Sequence, residues 1–160
     1  MESLLIQFRD NDTAHDDLHV WIEGYSRTTD SYYLALDRGM LAGEESAEKV
    51  RRVLVQLLQR WLEALAQSTP ARPVYLPFDF SDQYTGCFQC RLDGESIEIV
   101  PGWSSREGWS VWPSDPGAYF FDITDFRSDA PAPIRLPTEE FLRRIRESIA
   151  DTESQFVQNP

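Results

Sequence analysis

One lysine, two cysteines and two histidines are spread over 160 residues, and each scarcity closes off some chemistry. Two cysteines in a chain of this size do not make a secreted disulfide framework. Two histidines four residues apart, in one acidic stretch, leave no Ser/His/Asp set to assemble, and neither a phosphate-cradling glycine loop nor a nucleophile elbow is present. Arginine carries all positive charge except Lys49, which fits the codon bias of a GC-rich genome rather than a function. The longest purely apolar runs are only a few residues, too short to cross a bilayer. The opening stretch "MESLLIQFRDND" has no basic region followed by a long apolar core, so no secretory signal is expected and the default compartment is the cytoplasm.

Basic charge is the other shortage. The formal net charge is -12 and the pI is about 4.5. Nucleic acid and anionic membranes are therefore not the expected partners, since both require a basic surface. The imbalance is uneven. Residues 1–30 carry seven acidic groups against two arginines, and residues 101–130 carry five against two. Such regions are either a solvated surface or a face that steers a basic partner inward. A hydrophobic fraction of 41% with 26% charged residues is that of a soluble globular protein, and the length predicts one domain over residues 1–160, able to bury a core without metal or disulfide support.

The pattern of elements predicts an α+β domain, a mostly antiparallel sheet of about five to seven strands with two helices packed on one face. Alternating apolar residues predict strands at Leu4–Phe8, at Val20–Tyr25, where Val20 and Ile22 alternate with Trp21, Glu23 and Tyr25, and at Tyr32, Leu34 and Leu36. The stretch "GEESAEKVRRVLVQLLQRWLEALAQS" predicts the principal helix. Its apolar stripe is Val50, Val53, Leu54, Leu57, Leu58, Trp61, Leu62 and Leu65, with Glu44, Glu45 and Glu48 in the first turns and Pro70 and Pro73 beyond its end. "PVYLPFDF" reads as an edge or bulged strand because of Pro77. "GCFQCRLDGESIEIV" reads as a hairpin turning at Asp93–Gly94, which pairs Cys90 with Ile97, Phe88 with Ile99, Gln89 with Glu98 and Arg91 with Ser96. "AYFFDITDF" predicts a further strand. Thr138 is the expected cap of a last helix, with Glu139 and Glu140 in its first turn and Phe141, Leu142, Ile145 and Ile149 as its stripe. Leu57, Leu58, Trp61, Phe88, Ile97 and Ile99 form the expected core where the long helix meets the hairpin.

Three constellations are candidates for chemistry. "HDDLH" has the outline of a zinc-protease motif but with Asp16 in place of the glutamate, and its flanks read as loop and strand where the motif needs a helix. "CFQC" lies in a strand, where Cys87 and Cys90 point to opposite faces instead of capping a helix as a redox pair does. No metal or cofactor is expected; the residues a zinc site would have to use are Cys87, Cys90, His15 and His19. The third set is acidic and aromatic: Asp79, Asp82, Tyr84, Trp103, Trp109, Trp112, Asp115, Asp122 and Asp125. Carboxylates beside tryptophans are also the furniture of a sugar site, and a small carbohydrate-active enzyme or sugar-binding module built from residues 79–125 is the alternative from another class. An adaptor or structural subunit is a third.

"GWSSREGWSVWPSDPG", residues 102–117, holds three of the five tryptophans. Proline and glycine on both sides make a stiff loop, and an indole on a stiff support is typical of an interface hot spot; the competing role is to close the open face of the sheet. A small acidic α+β chain with no active-site motif and an aspartate- and tryptophan-bearing face resembles the immunity proteins of bacterial polymorphic toxin systems. The resemblance lies in overall character across the chain. It implies a non-catalytic domain that binds a cognate toxin, a protein with a basic face, and blocks its active site or substrate path. The expected contact residues are Trp103, Trp109, Trp112, Asp115, Asp122, Asp125, Asp82 and Tyr84, and a second copy of the chain is the other partner to consider.

Overall fold

The computed structural model describes residues 4–39 and 43–156; residues 1–3 of the opening stretch lie outside them. The fold is α+β, with two antiparallel sheets of three and five strands and two long helices. The small sheet joins β1 (Ile6–Phe8), β2 (Leu18–Ile22) and β3 (Tyr25–Thr29). β2 and β3 turn through Glu23 and Gly24, with φ values of 28° and 84°, the left-handed pair that a two-residue hairpin loop requires. The turn ends the second strand at Ile22, short of the predicted Tyr25, which instead opens β3; the rest of β3, "SRTT", shows no apolar alternation to mark it as a strand.

Tyr32, Leu34 and Leu36 do not form a strand. Tyr32–Ala35 is a single helical turn, α1. Buried Asp17 accepts the Ser31 N–H at 2.8 Å and the Ser31 hydroxyl at 2.7 Å. That grip starts the turn, and because Tyr33 and Ala35 between the predicted strand residues are apolar too, the alternation there has no polar face to hold a strand.

The long helix α2 runs Ala47–Leu65, capped by Ser46, whose hydroxyl accepts from the Lys49 N–H at 3.1 Å. Glu44 and Glu45 therefore precede the helix, and Glu48 alone sits in its first turn. The predicted stripe is buried except for part-buried Leu62, and Trp61 is fully buried with its indole N–H donating to the Pro77 carbonyl at 3.0 Å. All six expected core residues are buried.

The large sheet joins β4 (Val74–Phe80), β5 (Thr85–Asp93) and β6 (Ser96–Ser104). The outer side of β6 is shared by β7 (Arg127–Ser128) and β8 (Ile134–Pro137). β4 is an edge strand with a bulge between Pro77 and Asp79, as its proline predicts. The β5–β6 hairpin turns at Gly94–Glu95, not Asp93–Gly94. Cys90 pairs with Ile99, Phe88 with Pro101, Gln89 with Val100 and Arg91 with Glu98. The slip arises because Gly94, at φ 64°, takes the first loop position, the place of glycine in a type II′ turn. A shift of two in the pairing leaves every side chain on its predicted face.

The last helix, α3, runs Thr138–Glu153 and packs on α2. Pro137 occupies the cap position, and Thr138 instead ties the helix to the hairpin turn: its N–H donates to the Glu95 carbonyl at 2.8 Å and its hydroxyl to the Gly94 carbonyl at 3.3 Å. Ser148 of α3 accepts the Leu5 N–H at 2.9 Å and so pins the entry to β1. No helix among the described residues is long and apolar enough to cross a membrane.

Candidate functional site

The two faces of the large sheet are covered by different means. α2 covers one, with Trp61 edge-on to Phe88 at 6.1 Å. The other is covered by residues 105–126, which form no strand: a 3-10 turn at Gly108–Ser110, another at Gly117–Phe120, and loop between them. "AYFFDITDF" is thus not strand but cover. Val111, Tyr119, Phe120 and Ile123 are buried in it. The Tyr119 hydroxyl lies 2.8 Å from that of Ser104 and donates to the Thr85 carbonyl at 3.3 Å. Cys87 belongs to this face and Cys90 to the other. Both thiols are free and buried. Burial pushes the Cys87 thiol up to about 12 and Cys90 well above the ordinary thiol range, so neither is a ready nucleophile.

Because tyrosine, phenylalanine and aliphatic residues close this face, two of the loop tryptophans are released from it. Trp109 is 59% exposed and Trp112 is 53% exposed. Their backbone is nonetheless held tightly. Buried Asp37 accepts the Ser114 N–H at 3.0 Å and its hydroxyl at 2.7 Å. The Asp37 carbonyl in turn accepts from Lys49 Nζ at 2.6 Å. The Gly108 N–H donates to the Ser81 carbonyl at 2.7 Å, and a Cβ on Gly108 would sit 2.4 Å from the Ser81 nitrogen, so only glycine allows the approach. Trp109, Trp112 and Pro113 with Tyr33, Leu36 and Arg38 line a groove of about 260 Å³. Tyr33, Leu36 and Arg38 were not among the expected site residues. Tyr33 and Leu36 reach the groove because Tyr32–Ala35 is a helical turn and not a strand.

The remaining expected residues are dispersed. Asp115 and Asp122 are exposed and line no part of the groove. Asp125 is bound by the N–H and hydroxyl of Ser105, and those hydrogen bonds hold its carboxyl below the ordinary range. Exposed Asp82 accepts from the Tyr33 hydroxyl, joining the β4–β5 turn to the rim of the groove.

Trp103 and Tyr84 belong to a second cleft, of about 300 Å³, which they line with Arg27 and Asp129. Trp103 sits on β6 opposite Gly86 and is half-buried. Tyr84 meets it edge-on at 6.2 Å and 71°. Beneath the cleft, Arg27 of β3 forms a 2.8 Å ion pair with buried Asp79 of β4, which also accepts from the Tyr84 hydroxyl at 3.1 Å. Burial holds the Asp79 carboxyl above the ordinary range, and the Arg27 charge opposes that rise. A Cβ on Gly86 would meet that of Asp79 at 2.8 Å, so glycine makes room for the buried carboxylate.

The histidines stand apart from the cysteines. His15 lies in the N-terminal loop against Asp30 at 3.3 Å, and His19 lies on β2, stacked on Trp21. Among the described residues no group of three or more His, Cys, Asp or Glu is placed to hold a metal ion. Comparison of the chain with protein-family models, with curated proteins and with solved structures finds no match.

Proposed function

We propose that the chain is a non-catalytic protein-binding domain of the immunity type, which neutralises a cognate toxin held on the Trp109–Trp112 groove. One observation carries this reading: two half-exposed indoles project from a loop that buried hydrogen bonds through Asp37, Ser114 and Gly108 fix from beneath. Ordering such a surface on binding costs little conformational entropy, and large aromatic anchors on a fixed support dominate interface energetics. The net charge of -12 supports a basic partner, whose approach it would accelerate.

The experiment is co-expression with the product of the adjacent open reading frame, with growth and affinity as readouts. The native chain should restore growth and bind. Trp109→Ala and Trp112→Ala should each weaken binding by roughly 30- to 700-fold, the equivalent of about 2–4 kcal/mol, with the fold retained. Unchanged affinity in both folded variants would remove the groove from the interface. A neighbouring product that neither binds nor inhibits growth would remove the immunity reading.

A further inference from the structure

The cleft between the two sheets has a composition that the protein-binding reading does not use. Its walls are Trp103 and Tyr84, set at 71°. The Arg127 guanidinium lies 5.6 Å from the centre of the Trp103 ring, and Arg27 and Asp129 flank the opening. The charged residues that line it, Arg27 and Asp129, balance one another. Donors and acceptors are both to hand: Arg27 Nη2 is taken up by the Tyr84 hydroxyl at 2.9 Å and Asp79 at 2.8 Å, but its Nη1 reaches Asp129 only loosely, at 3.4 Å, and a guanidinium has five N–H groups while a carboxylate has two oxygens. The rim is preorganised. Trp103 and Arg127 are paired strand residues, and the Asp129 N–H donates to the Pro101 carbonyl at 2.8 Å. A volume of about 300 Å³ is at the small end of ligand pockets, sufficient for one ring-sized group.

An uncharged ligand with an apolar face and a hydroxylated edge meets all of these features at once. We propose that this cleft binds a pyranose ring, with its C–H face on Trp103 and its hydroxyls donating to Asp129 and accepting from Arg27. A corner of two aromatic walls suits a ring whose face and edge differ in chemistry. A flat nucleobase would favour parallel walls.

The test is titration of the ¹⁵N-labelled full chain with glucose, galactose, N-acetylglucosamine and their β-1,4-linked disaccharides at millimolar concentration. At least one should move the Trp103 indole N–H signal saturably while the other four indoles stay in place. Asp129→Asn, an exposed change that leaves the strands paired, should weaken that binding about tenfold or more, and Trp103→Ala should abolish it. A Trp109→Ala/Trp112→Ala chain should bind the sugar normally, so this proposal and the protein-binding reading fail separately. The inference is overturned if no saccharide moves the Trp103 signal, if Asp129→Asn binds as well as the native chain, or if adenosine or uridine moves the signal in place of the sugars.

Discussion

Trp61, on the helix that covers one face of the large sheet, and Trp109, on the irregular segment of residues 105–126, have opposite fates. The first is fully buried on a regular helix, with its N–H satisfied by Pro77; the second is 59% exposed on an irregular cover. On the helical side, periodicity decides burial: a residue on the stripe is inside. On the irregular side, burial is decided residue by residue, and Tyr119 with its hydroxyl partners at Ser104 and Thr85 takes the place an indole would otherwise fill. An irregular cover can therefore bury one aromatic and display the next. That freedom is what a binding surface needs, and a helix with a fixed period lacks it.

The largest effect should come from the regular side. Trp61→Ala should destabilise the fold by about 3–5 kcal/mol, because it empties a sealed site and leaves the Pro77 carbonyl without its donor. Denaturant unfolding would measure it. A loss below about 0.5 kcal/mol, typical of surface changes, would break the contrast at its firmer end. Next is the lock under the loop. Asp37→Ala should cost about 2–3 kcal/mol, since it removes the buried carboxylate that accepts from both the Ser114 N–H and its hydroxyl. It should also raise the quenching of Trp109 and Trp112 fluorescence by iodide, and unaltered quenching would mean the loop needs no lock. Tyr119→Phe keeps the ring and removes the hydroxyl, so its cost should be about 1 kcal/mol by the same unfolding measurement.

The cysteines sharpen the comparison further. Both thiols are buried with their ionisation pushed upward, so a thiol reagent at mildly alkaline pH should label neither in the folded chain. Labelling should follow local opening. Cys87, under the irregular cover, should react before Cys90, under the helix. Equal rates would mean that the two faces open together.

The sequence exposes the helical side almost completely, down to the six core residues, because amphipathic spacing is a direct imprint of burial. The faces of the β5–β6 hairpin were readable for the same reason, while its turn was misplaced by one residue because Asp-Gly and Gly-Glu both make acceptable loops. Three things were not readable. The helical turn at Tyr32 depends on Asp17, fourteen residues before the Ser31 it grips. The cover segment "AYFFDITDF" looks like a strand because covering a sheet needs the same apolar residues as joining one. The second cleft needs Arg27 and Asp129, 102 residues apart, and no local pattern brings them together. Of the expected site residues, Trp109 and Trp112 share the groove, Trp103 and Tyr84 share the cleft, and Asp115, Asp122 and Asp125 join neither.

The claim that the irregular cover buries Tyr119 while displaying the tryptophans is tested most directly by unfolding two chains side by side in denaturant. Tyr119→Ala should lose about 3–5 kcal/mol. The double variant Trp109→Ala/Trp112→Ala, which removes far more aromatic surface, should lose no more than about 1 kcal/mol in total. The reverse order, with the double variant unfolded or strongly destabilised and Tyr119→Ala little changed, would mean that the indoles close the sheet and that the groove is core.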